Sequence, residues 1–388
     1  MAEAIDIAFG KAKTKSTEKV NFKEATGRIL AKNVFSDIDM PPFNKSAMDG
    51  YACKREDLGK ELNVLEVIPA GKSPVHKIES GQCSKIMTGA QVPEGSDTVF
   101  MVEHSEETTK GKVRFTGTKT SSNICITGED LQKGDLVLSA GTLLKPQHIA
   151  MLAAVGCTFP EVYEKPSVGI ISTGSELVEP GTPVSSSQIR NSNGHQLATQ
   201  VEECNCTCNY YGIVKDDRNS TFDAIKEATD ENDVTIISGG VSVGDFDYVP
   251  LVINELGFDI LFSKLTVKPG KHTTFAIKND KYIIGLPGNP VSSFIQFELF
   301  AKPFLFKLMG HDFKTANLSI TLASDYKRRK TDREEFIPIT INKNNEAETI
   351  QYNGSAHIHA YHEAFGVMNI PKGVGLIKKG ETVNVRPL

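Results

Sequence analysis

The sequence lacks long apolar runs and has no excess of basic residues. None of its 388 residues belongs to a stretch near the roughly 20 apolar residues of a membrane span. Residues 1–6 have neither the basic start nor the apolar core of a secretory signal. The formal net charge is -5, whereas nucleic-acid-binding proteins usually carry a basic total or a basic patch. We therefore expect a cytoplasmic protein that binds neither a membrane nor a nucleic acid.

Paired cysteines are also missing. The chain has seven cysteines, an odd number, which favours free thiols in a reducing compartment. Cys204, Cys206 and Cys208 alternate in the run CNCTC, but no second cysteine pair with zinc-ligand spacing accompanies them. Since cysteine is a small apolar core residue, we predict that these three side chains pack in a core rather than hold a metal.

The first 160 residues combine short helices with a β-rich stretch. Ile5, Ala8 and Phe9 share one face of a predicted amino-terminal helix, and residues 24–34 are predicted as another short helix. Between residues 62 and 141, runs such as NVLEVI and KVRFTG alternate with turn-forming clusters, as in a small all-β domain. A helix is predicted over residues 146–154, stopped by Gly156.

Strands and helices alternate in the middle of the chain. SVGIIST, CNYYGIV, DVTIISG and YIIGLPG are apolar strand-like runs, and the intervening patterns predict helices over 193–203, 220–228 with Ser220 as N-cap, 248–256 and 291–308. This alternation predicts a mostly parallel sheet covered on both faces. After Gly310 the pattern returns to short strands, which indicates a small carboxy-terminal β domain.

A glycine-rich loop follows the third of these strands, in ISGGVSVGDFDY. Gly239, Gly240 and Ser242 stand between the strand and Asp247, and a helix follows. Glycines let backbone N–H groups approach an anion, and a carboxylate beside them suits magnesium bound to phosphate. The loop lacks the Gly-Lys-Ser/Thr of a Walker A motif and the G-x-G-x-x-G of a dinucleotide fold. A tight turn that caps the helix is the competing interpretation.

Three other segments are notable, although each has a simple structural explanation. In KLTVKPGKHTTFA, Lys264 and Lys268 are predicted to leave one face of a strand beside a Pro-Gly turn, where they could reach an anion or lie in solvent. In GLPGNPVSSF, Pro287 and Pro290 stiffen a loop after a buried strand, with Asn289 as a helix cap. Asp49 in SAMDGYA fits an ordinary Asp-Gly turn. The basic run over residues 327–330 is interpreted as a solvated turn.

Taken together, these segments resemble a known family. SAMDGYA, KIMTGAQVPEG, GED, STGSELVEPG, VKDD, SGGVSVGDFDY, KPGK and GLPGNPVS occur in the same order as in the bacterial molybdopterin molybdenumtransferases (the MoeA family), and the chain is similar to the C-terminal domain of gephyrin. The resemblance extends from about residue 39 to the carboxyl terminus. Relatives often carry an arginine just before GED, where this sequence reads NICIT.

The resemblance implies a multidomain α/β and β fold. A MogA-like three-layer α/β domain would comprise residues 1–21 and 163–312. A small linking lobe would comprise 22–43 and 136–162, a β-rich lobe 44–135, and a C-terminal β-barrel-like domain 313–388. The family precedent also implies an elongated homodimer with the site between subunits.

By matching motifs, the resemblance also implies site residues. The catalytic positions would be Asp49, Asp130, Glu176, Asp216 and Asp247, of which Asp216 and Asp247 would hold Mg²⁺. The substrate-binding positions would be Thr88, Gly239, Gly240, Ser242, Lys264, Lys268, Pro287, Pro290 and Ser355. Asp49, Thr88 and Asp130 would come from the β-rich lobe, and Ser355 from the C-terminal domain.

The implied reaction inserts molybdate into adenylylated molybdopterin and releases AMP, with Mg²⁺ as cofactor, to form the molybdenum cofactor. A molybdopterin-adenylylating enzyme and molybdoenzyme apoproteins would be the partners besides the second subunit. Two alternatives stay open, namely adenylyl transfer to molybdopterin and a non-catalytic scaffold of the gephyrin type. The chain is longer than a single α/β domain, which disfavours the first, and it lacks a long linker, which disfavours the second.

Overall fold

The computed structural model describes residues 1–241 and 247–388. These residues form two compact units, one built from residues 1–32, 141–145 and 161–388, and the other from residues 33–140 and 146–160. The first unit contains an α/β domain and a carboxy-terminal β-sheet, and the second is β-rich. The expected α/β and β multidomain fold is therefore confirmed, whereas its finer division into four lobes stays a prediction.

A six-stranded mixed sheet is the centre of the α/β domain. Its first four strands are parallel and its last two are antiparallel to their neighbours. In spatial order they are Thr207–Val214, Ser167–Thr173, Val234–Ser238, Lys281–Leu286, Thr274–Lys278 and Asp259–Phe262. The four apolar runs of the sequence are thus the four parallel strands.

Both faces of this sheet are covered at its centre, where the strands Ser167–Thr173, Val234–Ser238 and Lys281–Leu286 are buried at almost every position. Ile170, Ile236 and Ile284 pack on one face, and Ile171, Ile237 and Ile283 on the other. Successive strand residues point to opposite faces, so an uninterrupted apolar run requires cover on both sides. The first face lies under the helices Ala2–Phe9, Asn193–Glu203, Pro290–Gln296 and Lys302–Leu308. The second lies under Arg218–Glu231 and Val249–Glu255.

Two of the helix predictions for the α/β domain need correction. The helix predicted from Ser220 begins at Arg218, and its N-cap is Asp217, whose carboxylate accepts a hydrogen bond from the Ser220 amide at 2.9 Å. The predicted long helix after Pro290 contains a π-helical turn, Phe297–Ala301, between its two α-helical parts. Asn289 occupies the N-cap position with Pro290 next, although its side chain makes no capping hydrogen bond.

The carboxy-terminal sheet incorporates a piece of the α/β domain. Its strands, in spatial order, are Val267–Lys268, Glu334–Ile341, Gly366–Ile370, Thr382–Pro387 and Leu318–Thr321, with Ala347–Thr349 paired to the second. Val267 and Lys268 pair in parallel register with Glu334 and Glu335. The chain around the KPGK segment therefore forms the edge of this sheet.

The second unit contains another six-stranded sheet. Its strands, in spatial order, are Thr98–Met101, Gly50–Cys53, Gln82–Ile86, Glu61–Ile68, Lys112–Phe115 and Ser105–Thr109. The short pairs Lys45–Ser46 with Ile124–Cys125 and Val34–Phe35 with Leu136–Leu138 complete its β structure. The helix predicted over residues 146–154 is present as Pro146–Ala154 and belongs to this unit, and Gly156 follows it with a φ of 68°.

Two further sequence predictions concern the cysteines and residues 24–34. All seven cysteines are free thiols, and Cys204 and Cys206 pack in the core of the first unit, as predicted. The helix predicted over residues 24–34 is wrong. Only the 3-10 turn Phe22–Glu24 forms, and Ile29 and Leu30 make isolated β-bridges to Leu143 and Val162. Across residues 1–241 and 247–388, every helix is too short or too polar to cross a membrane.

Candidate functional site

A cavity of about 610 Å³ opens where the parallel strands of the α/β sheet end. The strands Ser167–Thr173, Thr207–Val214, Val234–Ser238 and Lys281–Leu286 are each followed by a loop that contributes to the lining. In open α/β sheets this edge is the usual ligand-binding position. The cavity lining includes seven of the predicted site residues: Glu176, Asp216, Gly239, Gly240, Asp247, Pro287 and Pro290.

The glycine pair forms a backbone surface in this cavity. Gly239 and Gly240 have φ values of 96° and 62°, in the left-handed region that favours glycine. A Cβ on Gly239 would lie 2.5 Å from the Thr173 carbonyl oxygen, so the loop packs directly on the neighbouring strand end. The predicted Ser242 lies outside the described residues. Gly239 and Gly240 are therefore required by the conformation of this loop, whatever it binds.

Three carboxylates line the same cavity. Glu176 follows the first parallel strand and is exposed, while Asp216 and Asp247 are half-buried. Asp216 accepts a hydrogen bond from the Ser175 amide at 2.8 Å, and its own amide donates to the Ser175 hydroxyl at 3.2 Å. This reciprocal pair fixes the TGSEL segment against the VKDD segment. The fold thus gathers carboxylates from three separate motifs at one edge of the sheet.

The GLPGNP loop is anchored by a residue that the sequence analysis did not identify. Asn193, at the first turn of its helix, is almost completely buried. Its side-chain amide donates to the Ser238 hydroxyl at 2.9 Å and to the Gly288 carbonyl at 2.8 Å. Asn193 therefore joins the end of one parallel strand to the loop after another. Its only sequence signal was its position as the first residue of a predicted helix.

A second cavity of about 310 Å³ shares His272, Pro287 and Asn289 with the first. Its cationic residues are Lys268, Lys271 and Arg333, and Ser355 contributes from the carboxy-terminal domain. Ser355 is held in place by its carbonyl, which accepts from the Val291 amide at 2.9 Å. Two of the predicted residues, Lys268 and Ser355, therefore meet here. The residues of the first unit form a carboxylate-lined cavity beside a cationic one.

Local charges act on His272, which lines both cavities. Burial lowers the pKa of His272 below its ordinary value, and the charges of Lys271 and Lys264 lower this pKa further. The charge of Asp247 opposes this effect. His272 is therefore favoured in its neutral form, in which one ring nitrogen accepts a hydrogen bond and the other donates. His272 lies within the KPGKHTTFA segment but was not among the predicted site residues.

The KPGK turn is fixed by close packing. Gly270 has a φ of 101°, and a Cβ there would lie 2.3 Å from Cγ of Gln296. The Gln296 side-chain amide is fully buried and donates to the Pro269 carbonyl at 2.8 Å. The Lys268–Pro269 peptide bond is cis. This turn determines where Lys268 and Lys271 leave the backbone.

The predicted pairing of Lys264 with Lys268 on one strand face is wrong. The strand Asp259–Phe262 ends before Lys264, and the strand that contains Lys268 begins at Val267. Lys264 is exposed and belongs to neither cavity lining, although its charge acts on His272. Lys268 forms an ion pair with the buried Glu335, with 2.6 Å between Nζ and Oε1. The two lysines therefore have different environments.

The basic run over residues 327–330 is not simply a solvated turn. Arg328 has a side-chain exposure of 6%, and its guanidinium donates to the carbonyls of Val374, Arg333 and Pro371. It also pairs with Glu335 at 3.2 Å. Together with Lys268, the run borders a cavity of about 260 Å³, lined by Lys268, Arg328, Arg329, Lys330, Asp332 and Arg333. The solvated-turn interpretation is therefore wrong for Arg328.

The remaining predicted residues lie in the second unit. Asp49 accepts hydrogen bonds from both the amide and the hydroxyl of Thr88, each at 2.6 Å. The hydrogen bond from the Thr88 hydroxyl, with that from its amide, lowers the pKa of Asp49, so this carboxylate is ionised near neutral pH. Asp130 is exposed after the Ile124–Cys125 strand. Within the described part of the chain, no hydrogen bond or ion pair joins Asp130 to Asp49 or Thr88.

Comparison with known protein families covers most of the chain. Residues 1–156 match a family model described as the MoeA N-terminal region (domain I and II). Residues 169–307 match a probable molybdopterin binding domain, and residues 320–388 match the MoeA C-terminal region (domain IV). The match over residues 169–307 contains every lining residue of the carboxylate-lined cavity except Ala356. The match over residues 320–388 contributes Ser355 and Arg333 to the cationic cavity.

Individual relatives and solved structures agree with these matches. A molybdopterin molybdenumtransferase of Bacillus subtilis is 39% identical over 74% of this chain and 70% of the relative. One from Staphylococcus aureus is 33% identical over 99% of this chain and 94% of the relative. The crystal structure of the molybdopterin biosynthesis moeA protein from Pyrococcus horikoshii OT3 has a TM-score of 0.86 at 31% identity, covering 100% of this chain and 99% of that one.

Proposed function

The chain belongs to the molybdopterin molybdenumtransferase family, and we propose that it inserts molybdate into adenylylated molybdopterin with release of AMP. The observation that carries this proposal is the pair of adjoining cavities, one lined by carboxylates and the other by cations, at the carboxyl ends of the parallel strands. The reaction requires a substrate that contains a pyrophosphate, which is cleaved to release AMP, and an oxyanion that supplies the metal, and the two halves of the site match these two demands.

The cationic cavity supplies the contacts that an oxyanion requires. Lys268 and Arg333 present an ammonium and a guanidinium, and Ser355 adds a hydroxyl. Charge-assisted hydrogen bonds from such groups are stronger than neutral ones. The buried Glu335 is paired with both Lys268 and Arg328, so it leaves part of the local positive charge uncompensated. We assign molybdate, as substrate, to this cavity.

The carboxylate-lined cavity fits a divalent cation bound to phosphate. Mg²⁺ usually takes one or two carboxylates and completes its shell with water and phosphate oxygens. Asp216 and Asp247 offer this donor set, and the main chain of Gly239 and Gly240 lines the same cavity. When bound, Mg²⁺ would neutralise the charge that develops on the pyrophosphate. We assign it to these two aspartates.

The chain's own groups have distinct tasks in this proposal. Pro287 and Pro290, with Asn193 behind their loop, keep the cavity wall in one conformation. His272, between the two cavities and favoured in its neutral form, is placed to exchange a proton with an oxygen of either substrate. Glu176 lines the same cavity, where its carboxylate would orient the oxygen that attacks the pyrophosphate. Such positioning supplies much of the rate enhancement in phosphoryl-transfer chemistry.

The direct test incubates the purified chain with adenylylated molybdopterin, Mg²⁺ and molybdate, and measures AMP by chromatography. We expect AMP release that depends on molybdate. AMP release without molybdate dependence would refute insertion. Adenylylation of molybdopterin by ATP would identify the preceding step instead, and inactivity with a retained fold would favour a scaffold. Sulfate at the same ionic strength controls for a general anion effect.

We also propose that the enzyme is a cytoplasmic homodimer whose site combines residues of both subunits, with the family precedent as support. Mixing an Asp49→Ala chain with an Asp247→Ala chain should then restore part of the activity, because one of the two composite sites in a mixed dimer is intact. Verified mixed dimers without activity would show that each site is built within one subunit. Each variant alone serves as the control.

A further inference from the structure

A narrow ribbon forms one wall of the carboxylate-lined cavity. It consists of the strands Leu177–Val178 and Ile189–Arg190, which pair in parallel. Glu176, directly before the first strand, and Ile189, in the second, both line the 610 Å³ cavity. The position of Glu176 in the cavity therefore depends on how this ribbon is held.

The ribbon has little intrinsic stability. Each strand has only two residues, and Ile189 is 57% exposed. The Ile189 amide donates to the Glu176 carbonyl at 2.9 Å, and the Asn191 amide donates to the Val178 carbonyl at 2.8 Å. Even a longer isolated two-stranded pair is at best marginally stable in water. Side chains outside the ribbon must therefore fix its place.

One hydroxyl joins the two strands. Tyr210 lies on Thr207–Val214, the edge strand of the central sheet. Its hydroxyl accepts a hydrogen bond from the Asn191 side-chain amide at 2.7 Å and donates to Oε1 of Glu179 at 2.8 Å. Glu179 directly follows the first strand of the ribbon, and Asn191 directly follows the second. A single group on the rigid sheet thus holds both strands where they leave the ribbon.

Packing restricts this tie to one arrangement. His195 Nε2 lies 3.0 Å from Oε2 of Glu179, and the His195 ring centroid is 5.1 Å from that of Tyr210. Gly194 allows the helix to approach, since a Cβ there would lie 2.8 Å from Cε2 of Tyr210 and 2.9 Å from Nδ2 of Asn191. Asn191 itself is buried, so its side-chain amide has a strong requirement for a hydrogen-bond acceptor.

We propose that Tyr210 is a positioning residue, whose hydroxyl ties Glu179 and Asn191 to the central sheet and thereby holds Glu176 and Ile189 in the wall of the cavity. The expected effect of the Tyr210 hydroxyl on turnover rests on the proposed function, whereas its expected effect on the ribbon does not. Neither Tyr210 nor Glu179 is part of the cavity lining. The effect of Tyr210 on the cavity is therefore indirect.

The neighbouring tyrosine provides a matched control. The Tyr211 hydroxyl accepts from the Asn232 side-chain amide at 2.8 Å and donates to Oε2 of Glu231 at 2.5 Å, which is the same chemistry beside the other face of the sheet. Tyr211→Phe and Tyr210→Phe each delete one hydroxyl from such a pair and keep the ring. Only Tyr210→Phe should release the ribbon.

The first measurement is hydrogen exchange by mass spectrometry in peptides covering residues 177–191. Because the amides of Ile189 and Asn191 are donors within the ribbon, their exchange should be faster in Tyr210→Phe and unchanged in Tyr211→Phe. Exchange at the wild-type rate in Tyr210→Phe would overturn the proposal, regardless of activity.

The second measurement is molybdate-dependent AMP release. Tyr210→Phe should lower kcat about tenfold, equal to about 1.4 kcal/mol of transition-state stabilisation, while the molybdate concentration for half-maximal rate stays the same. Tyr211→Phe should retain wild-type kcat. Faster ribbon exchange with wild-type kcat would refute the link to the site. If the wild-type chain releases no AMP, the proposed function fails, and the exchange experiment still decides the role of Tyr210.

A second pair of variants tests the partner. Glu179→Gln keeps a carbonyl oxygen as an acceptor for the Tyr210 hydroxyl, whereas Glu179→Ala removes the acceptor. Glu179→Ala should reproduce the effects of Tyr210→Phe on exchange and kcat, and Glu179→Gln should retain most of the wild-type behaviour. Equal effects of both substitutions would indicate that the charge of Glu179, rather than the tie to Tyr210, controls the ribbon.

Discussion

Replacing Gly270 by alanine tests how strictly the KPGK turn positions its lysines. The substitution places a side chain at a φ of 101°, which costs about 1–3 kcal/mol of backbone strain. Its Cβ would also lie 2.3 Å from Cγ and 2.5 Å from Nε2 of Gln296. Overpacking of a buried site of this kind costs about 1–3 kcal/mol. We therefore expect Gly270→Ala to lower the free energy of unfolding by the sum of the two, about 2–6 kcal/mol.

The two contributions can be separated by a second substitution. Gln296→Ala removes the side chain that the new Cβ meets, together with its hydrogen bond to the Pro269 carbonyl. The double variant should then keep the backbone strain and lose the steric overlap. Its destabilisation should fall short of the sum of the two single effects by about 1–3 kcal/mol. Gly380→Ala is the control, since Gly380 has a φ of 87° and open space around it, so only strain is expected.

The assay is urea unfolding followed by far-ultraviolet circular dichroism, because the chain has no tryptophan to serve as a fluorescent probe. Molybdate-dependent AMP release gives the functional effect. Since Gly270 stands between Lys268 and Lys271 in the cationic cavity, Gly270→Ala should raise the molybdate requirement, and Gln296→Ala should partly reverse this rise. Additive destabilisation within about 0.5 kcal/mol would show that Gln296 does not limit the space beside Gly270.

Three further predictions follow from the site and its support. Lys268→Met should raise the molybdate concentration for half-maximal AMP release by at least about tenfold, because it removes a charge-assisted contact of about 1.5–3 kcal/mol. Lys264→Met, outside the cavity, should change this concentration less. Equal effects of the two substitutions would contradict the assignment of Lys268 alone to molybdate. Asp216→Asn should weaken Mg²⁺-dependent turnover, whereas Asp217→Asn, at a helix cap, should leave the Mg²⁺ titration of AMP release unchanged. Identical Mg²⁺ titrations for the two variants would exclude Asp216 as a ligand. Burial opposes ionisation of Asp233, but hydrogen bonds from Lys15 and Ser167 outweigh the effect of burial and lower the pKa of this carboxyl. The contribution of ionised Asp233 to stability is therefore complete above the unfolded pKa of about 3.9, and it is lost as pH falls through the lower folded pKa. Asp233→Asn should therefore reduce the free energy of unfolding at neutral pH and flatten its acid dependence, and parallel urea-derived pH profiles for both chains would contradict this.

The order of the motifs and the apolar periodicity were sufficient to predict the family, the parallel strands and several of the helices. An uninterrupted run such as SVGIIST can be stable only with cover on both faces, so the sequence alone indicates the sheet and its layers. Glycines and prolines directly after these runs must lie at the carboxyl edge, which is why Gly239, Gly240, Pro287 and Pro290 were predicted together and lie together.

Only the tertiary structure decided which charged groups share an environment. Spacing suggested that Lys264 and Lys268 leave one strand face, but Lys268 is drawn into the carboxy-terminal sheet by pairing with Glu335 from far along the chain. Arg328 is buried for the same reason, because distant carbonyls accept its hydrogen bonds. The tie at Tyr210 likewise joins Glu179, Asn191 and an edge strand whose proximity no local pattern encodes. Local patterns determine which elements form, whereas long-range packing determines which side chains meet.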